Sequence, residues 1–148
     1  MGARTTGREA ALQMLFAMET AHSSADVVTR DFWREIPPPD VEGRAFADAL
    51  LREVIAKREW LDGRITAASE NWRLERMTPV HRSILRLGAL ELLAHPEVPT
   101  EVVIDEAVEL AKRYGADNSA KFVNGVLDRI ASERRDSSSD RSKGNSSP

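Results

Sequence analysis

The sequence predicts an all-α protein of six to eight helices. Apolar residues recur at spacings of three and four, as in Phe46, Leu50 and Val54, which is the period of a helix buried on one face. Prolines, glycines and capping residues divide the chain into helix-length segments. The alternating pattern of a half-buried strand does not compete with this reading, so no sheet is expected.

The N-terminal third predicts two helices. Thr6 and Glu9 have the spacing of a capping box, in which the hydroxyl of Thr6 caps the amide of Glu9, so the first helix is expected to follow Thr6. Residues 1–5 would then be a short basic arm. A second, shorter helix is expected over residues 25–35.

A long central segment follows the three prolines at 37–39, which force an extended break. Asp40 is a suitable N-cap for it. Helical spacing continues from Phe46 to Ile65, which is long for one globular helix, so a break is expected near Lys57. The segment should end at residues 71–72.

The C-terminal half predicts three further helices. Thr78 and Pro79 fit the N-cap and first position of a helix whose broad apolar face suggests a central place. Thr100 or a neighbour should open the next helix, and Gly115 should end it. The last helix is expected over residues 118–134. Residues 135–148 contain no large apolar side chain and should form a disordered, serine-rich tail after a single domain at 1–134.

Composition narrows the function. The chain has 148 residues, no cysteine and a net charge of −3, so disulfides, thiolate metal sites and cysteine nucleophiles are excluded and any nucleic-acid contact must use local clusters. No run is long enough to span a bilayer and the N-terminus does not resemble a signal peptide, so the default compartment is the cytoplasm and no membrane partner is expected.

The sequence offers no catalytic constellation. The three histidines lack metal-ligand spacing, and no phosphate-binding glycine loop is present. Glu101, Asp105, Glu106 and Glu109 form an acidic helix face that we interpret as solvated. We expect neither enzyme activity, nor a metal site, nor a cofactor.

The last predicted helix carries a polar and aromatic stripe beside its apolar face. At about 100° per residue, Asn118, Phe122, Gly125 and Arg129 lie together, with Lys121 adjacent. A mid-helix glycine costs roughly 1 kcal/mol relative to alanine, which suggests that something approaches closely there. An aromatic ring flanked by cations is a platform for a nucleotide base and its phosphates. The alternative is that Phe122 belongs to the core.

Further charged residues define two candidate surfaces. Six basic residues could converge on one surface or be scattered solubilising charge: Arg4, Arg8, Lys112, Arg113, Lys121 and Arg129. A second surface around residues 73–86 would suit a protein partner, with a solvated helix face as the alternative. The three tryptophans, Trp33, Trp60 and Trp72, are interpreted as core or core-edge residues.

Five segments together resemble one family. These are residues 8–16 (REAALQMLF), 84–93 (ILRLGALELL), 98–99 (VP), 104–112 (IDEAVELAK) and 121–128 (KFVNGVLD). In order and without large gaps, they are similar to the bacterial transcription antitermination factor NusB family. The resemblance covers the chain to about Arg134 and implies two small helical bundles packed against each other, without catalysis.

The resemblance also implies partners. NusB-like proteins pair with NusE, a small-subunit ribosomal protein, and the pair binds the single-stranded boxA element of ribosomal RNA transcripts within an RNA polymerase antitermination complex. The resemblance implies that RNA is bound by Arg4, Arg8, Lys112, Asn118, Ser119, Lys121, Phe122 and Arg129. It also implies that NusE is bound by Phe16, Glu75, Arg76, His81, Arg82 and Arg86. His81 stands where a carboxylate is familiar in the family.

Two other interpretations stay open. The same domain type occurs in front of ribosomal RNA cytosine methyltransferases. A helical scaffold that binds only proteins, or a homodimer that covers the RNA face, would also fit the pattern.

Overall fold

The structure, a computed structural model, describes residues 2–38, 40–70, 74–116 and 118–145, with side chains for these except residues 75 and 135–145. Seven α-helices and one 3₁₀ turn make up this described part. The helices are α1 (Ala3–Ala21), α2 (Ala25–Glu35), α3 (Val41–Ala56), α4 (Arg58–Ala68), α5 (Pro79–Ala94), α6 (Thr100–Tyr114) and α7 (Ser119–Asn145), and the 3₁₀ turn is Leu74–Arg76.

Side-chain caps set several helix starts where the sequence predicts them. The Asp40 carboxylate accepts from the amide of Gly43 at the start of α3. Thr78 Oγ1 accepts from the amide of His81 at 3.2 Å, with Pro79 in the first position of α5. The predicted break at Lys57 is confirmed, since Lys57 lies between α3 and α4. These caps satisfy amides that the helix itself leaves without a partner.

The predicted start of the first helix is wrong. Gly2 is the N-cap of α1, and Thr6 Oγ1 donates to the carbonyls of Gly2 and Ala3 at 3.3 and 3.1 Å instead of capping Glu9. Residues 3–5 are therefore the first turn of α1 rather than an arm, and Met1 lies outside the described residues. The early start has a tertiary cause, because Thr5 Oγ1 donates to Glu106 on α6 and fixes this turn against the domain.

The helices form two groups that meet at α5. α1, α2 and α3 pack on one another, and α4, α6 and α7 pack around α5. α5 also contacts α1 and α3, so it belongs to both groups. This central place explains why every residue from 83 to 92 is buried. The all-α architecture predicted from the sequence is confirmed.

Helix α7 closes the core and continues past it. Val123, Val126, Leu127 and Ile130 are fully buried, which confirms the predicted apolar face. The last core residue of α7 is Ala131, near the predicted helix end at Arg134, but the backbone continues as helix to Asn145. Disorder of residues 135–148 stays a prediction. Residues 71–72, where the central segment was expected to end, lie outside the described residues, and α4 ends at Ala68.

In the part of the chain that the structure describes, no helix combines the length and the apolar character that crossing a membrane requires.

Candidate nucleic-acid interface

A cleft of about 430 Å³ opens where the starts of α5 and α7 meet. It is lined by Arg76, Met77, Thr78, His81, Asn118, Ser119 and Phe122. Three of these residues belong to the predicted RNA-binding set and two to the predicted partner-binding set. The fold therefore brings parts of both sets together in one cleft, whereas the sequence predicted two separate surfaces.

The α7 side of the cleft is held by local hydrogen bonds. Asn118 has a left-handed backbone (φ 72°), a conformation that asparagine tolerates better than most residues, and its carbonyl accepts from the amide of Phe122 at 3.2 Å. Ser119 is buried, and its Oγ donates to the carbonyl of Ala111 on α6 at 3.2 Å. Phe122 is half-buried and packs against the core. Phe122 therefore contacts the core and also lines the cleft, and its role as a platform for a base stays a prediction.

Lys121 and Gly125 extend the stripe beyond the cleft. Lys121 is exposed. A Cβ built on Gly125 would meet nothing within 4 Å among the described atoms, so the packing of this chain does not demand glycine there. The stripe next to Phe122 therefore has open space on its outer side. That space is what the predicted close approach of a ligand needs.

His81 lies in the wall of the cleft and is partly desolvated. Burial lowers the pKa of its imidazole below the ordinary 6.5. Its Nε2 is buried without a hydrogen-bond partner among the described residues. A pKa below 6.5 leaves most of this imidazole uncharged at neutral pH.

Arg8 does not reach the surface. It is buried, and its Nε and Nη2 donate to the Glu91 carboxylate on α5 at 2.9 to 3.1 Å. Its Nη1 lies 3.4 Å from Glu106 on α6, and its guanidinium lies over the Phe46 ring at 5.4 Å. The predicted direct contact of Arg8 with RNA disagrees with this placement, because the guanidinium is directed at two internal carboxylates.

The other predicted RNA-binding cations are exposed but dispersed. Arg4 lies over the ring of Phe46 at 5.2 Å. Lys112 lies 3.5 Å from Glu109 on its own helix. Arg129 donates to the carbonyl of Ala68 at 2.8 Å and so connects α7 to the end of α4. None of these three lines the cleft.

Some of the predicted partner-binding residues are exposed and others are buried in internal ion pairs. Phe16 is 40% exposed on α1, and Arg76 is exposed at the cleft. Arg86 is buried and binds Asp62 with two hydrogen bonds of 2.7 and 3.0 Å, which disagrees with a place on a docking surface. Arg82 is mostly buried and bonds to Glu19 and to the carbonyl of Met77. The side chain of Glu75 lies outside the described residues.

Two residues of the cleft were not predicted from the sequence. Met77 and Thr78 line the cleft, and a Thr-Pro helix start could have marked them.

Trp60, interpreted as a core or core-edge residue, is 44% exposed, which corrects that interpretation. Trp33 is buried as expected, with Nε1 donating to Asp48 at 2.8 Å, and Trp72 lies outside the described residues.

The acidic face of α6 was only partly interpreted correctly. Glu101, Asp105 and Glu109 are exposed, as a solvated face requires. Glu106 instead turns toward α1 and accepts from Thr5 and Arg8. Among the described residues, no three carboxylate or imidazole side chains come together in a way that would hold a metal ion.

These features define a class of protein: a small all-α protein of two helical groups, with a mainly apolar cleft between two helix starts and no cluster of metal ligands among its described residues. The model of the NusB family matches residues 5–132. The chain therefore belongs to the NusB family, as the resemblance of its motifs suggested.

Relatives of known sequence agree with this assignment. The chain is 62% identical over 131 residues to the transcription antitermination protein NusB of Sorangium cellulosum, covering 88% of this chain and 93% of that protein. It is 46% identical over 132 residues to the NusB of Geobacter sulfurreducens, covering 89% and 96%.

Two solved structures share the fold. T. maritima NusB superposes with a TM-score of 0.79 at 36% identity, covering 90% of this chain and 92% of that one. A chain from a crystal structure of the antitermination factors NusB and NusE in complex with double-stranded RNA gives a TM-score of 0.82 at 25% identity, covering 90% and 98%.

Proposed function

We propose that this protein is a non-catalytic, RNA-binding transcription antitermination factor of the cytoplasm. It would pair with NusE on the boxA element of ribosomal RNA transcripts and act within an RNA polymerase antitermination complex. Family membership supports the class of function. The similar structure that contains NusB, NusE and RNA supports the kind of partners.

The observation that carries the proposal is the cleft between α5 and α7. Phe122 offers an aromatic ring at its wall, Asn118 offers amide groups, and Arg76 offers a guanidinium. Single-stranded RNA is commonly bound by stacking of bases on aromatic rings and by cations that contact the phosphates. Lys121 stands one residue from Phe122 on the exposed side of α7, where it can reach a phosphate of a stacked nucleotide.

Joint binding follows from the shared location. Arg76 and His81, from the predicted partner set, line the cleft together with Asn118 and Phe122. A partner that docks beside the cleft would extend the RNA-binding surface. By linkage, RNA would then raise the affinity for NusE by the same factor by which NusE raises the affinity for RNA.

The direct test is a fluorescence-anisotropy titration of a short boxA-like RNA with this protein, alone and with NusE. A scrambled RNA and a double-stranded RNA of the same composition serve as controls. Preference for boxA that increases with NusE supports the proposal. Equal binding of all three RNAs would contradict the sequence-specific function, and no binding of any would favour a protein-only scaffold or homodimer.

The role of Phe122 is tested by two variants, since the ring also packs against the core. Phe122→Leu keeps apolar volume and removes the aromatic ring, and it should weaken boxA binding about fivefold or more because stacking on an aromatic is lost. Phe122→Asp should weaken it further, with far-UV circular dichroism unchanged. Unaltered binding by a folded Phe122→Leu would contradict the stacking role, and unfolding of Phe122→Asp would identify the ring as core.

A further inference from the structure

An exposed tryptophan lies at the junction of α3 and α4, away from the residues that line the cleft. Trp60 is 44% exposed and adjoins a shallow recess of about 930 Å³. The recess is lined by Ile55, Ala56, Lys57, Arg58, Glu59 and Trp60. Ile55 in the same recess is 37% exposed, so two large apolar side chains meet water side by side here. Adjoining exposed apolar side chains, unlike a single one, point to an interaction site.

The cations of this surface are placed around the indole ring. Lys57 Nζ lies 6.0 Å from the centroid of the Trp60 ring, so a positive charge already rests on the ring face. Arg58 is 58% exposed, and its Nε is 4.0 Å from Asp62 Oδ2. Asp62 is bound much more closely by Arg86, at 2.7 Å, so Arg58 keeps donors that face solvent.

The local charge differs in sign from that of the whole chain. Lys57 and Arg58 outnumber Glu59 in the lining of the recess, whereas the chain carries a net charge of −3. Half of the lining residues are charged. Protein-protein interfaces are enriched in tryptophan and arginine but depleted in lysine and glutamate, whereas a binding surface for single-stranded nucleic acid combines aromatic rings with lysine as well as arginine. The composition therefore favours nucleic acid over a protein as the occupant.

We propose that Trp60, Lys57 and Arg58 form a second contact for single-stranded RNA, outside the cleft. A base would stack on the indole in place of the Lys57 ammonium, and Lys57 and Arg58 would bind the adjoining phosphates. This proposal depends on the proposed RNA-binding function. It adds that the RNA which fills the cleft continues to a second stacking site, so the protein binds a longer stretch of transcript than boxA alone.

The test compares two labelled RNAs by anisotropy: a short boxA-like RNA, and the same RNA extended on both sides by unstructured uridine-rich flanks. Trp60→Ala should weaken binding of the extended RNA about fivefold or more and leave the short RNA unchanged. Trp60→Phe should restore most of the loss. Lys57→Gln with Arg58→Gln should lower the salt dependence of binding for the extended RNA only.

Val102→Ala is the matched control, because Val102 is a similarly exposed apolar side chain (41%) on α6. It should bind both RNAs as the parent does. If neither RNA binds the parent protein, the proposed function itself fails. If both bind and Trp60→Ala matches Val102→Ala on the extended RNA, only the second contact is overturned. Trp60→Ala that weakens NusE binding and spares both RNAs would overturn it in favour of a protein-docking surface.

Discussion

Arg8 on α1 and Glu91 on α5 form a buried, bidentate ion pair that joins the two helical groups. The Nε and Nη2 atoms of Arg8 donate to Glu91 at 2.9 to 3.1 Å, and both side chains are at most 5% exposed. Glu106 and Thr5 complete the network from α6 and α1. The pair thus fixes the first turns of α1 on the central helix.

Removing one member of this pair should destabilise the fold strongly. Arg8→Ala leaves the Glu91 carboxylate buried without its cation, which typically costs about 3–5 kcal/mol of unfolding free energy. Urea denaturation measures the loss. Arg8→Met combined with Glu91→Leu should cost much less, because no uncompensated charge is then buried. Arg4→Ala, an exposed neighbour on the same ring of Phe46, should cost no more than about 1 kcal/mol. An equal cost for Arg8→Ala and Arg4→Ala would contradict the structural role of Arg8.

Two glycines should respond oppositely to alanine. A Cβ on Gly88 of α5 would lie 2.7 Å from Leu127 Cδ1, and Leu127 is fully buried, so Gly88→Ala should cost about 1–3 kcal/mol through overpacking. Gly125→Ala on α7 meets open space and should stabilise the fold by up to about 1 kcal/mol. Thermal unfolding measures both effects, with a lower unfolding temperature expected for Gly88→Ala and a higher one for Gly125→Ala.

Gly125→Ala also tests the approach of a ligand. If RNA comes close to the backbone beside Phe122, this variant should unfold at a higher temperature and still bind boxA RNA less tightly. Binding at parental affinity would show that RNA does not approach the backbone at Gly125.

Lys121 should contribute to the salt dependence of RNA binding. Each cation that neutralises a phosphate of a single strand contributes about 0.7 to the slope of log K against log salt. Lys121→Ala should therefore lower that slope by about 0.7 in anisotropy titrations over a range of salt concentrations. Arg30→Ala on α2, which removes another exposed cation, should leave it unchanged. Equal slopes for the parent and Lys121→Ala would exclude a phosphate contact at this residue.

His81 should make stability depend on pH below neutrality. Its folded-state pKa is lowered by burial from the ordinary 6.5, so the unfolded chain takes up a proton at a higher pH than the folded one. The free energy of unfolding should therefore fall as pH decreases from about 7 toward 5. His81→Gln removes this titration and should flatten that part of the curve. Parallel curves for parent and variant would contradict the burial of the imidazole.

Local sequence signals predicted most of the helix architecture. Asp40, Thr78 and Pro79 act at their own helix starts, and the apolar period of residues 123–130 gave the buried face of α7 correctly. These features need only short-range information, because a cap or a helical face is set by residues within a few positions of one another.

The candidate site was less predictable because burial of a charge is decided by distant partners. Arg8 looked like a surface cation, yet its partner Glu91 lies 83 positions away. A signal existed, since Glu91 interrupts the apolar run of α5, and a carboxylate at such a place needs a buried cation. Arg86 was likewise expected on a surface, yet it is buried and bound to Asp62, which lies 24 positions away. The joining of two predicted surfaces in one cleft depends on how α5 packs beside α7, which no local motif encodes.

Binding of RNA in the cleft between α5 and α7 can be mapped by the amide chemical shifts of ¹⁵N-labelled protein during titration with boxA-like RNA. We expect the largest changes at Arg76, His81, Asn118, Lys121 and Phe122, and little change at buried Arg8 and Arg86. Changes that leave residues 76–81 and 118–125 unaffected and cluster on another face would contradict it.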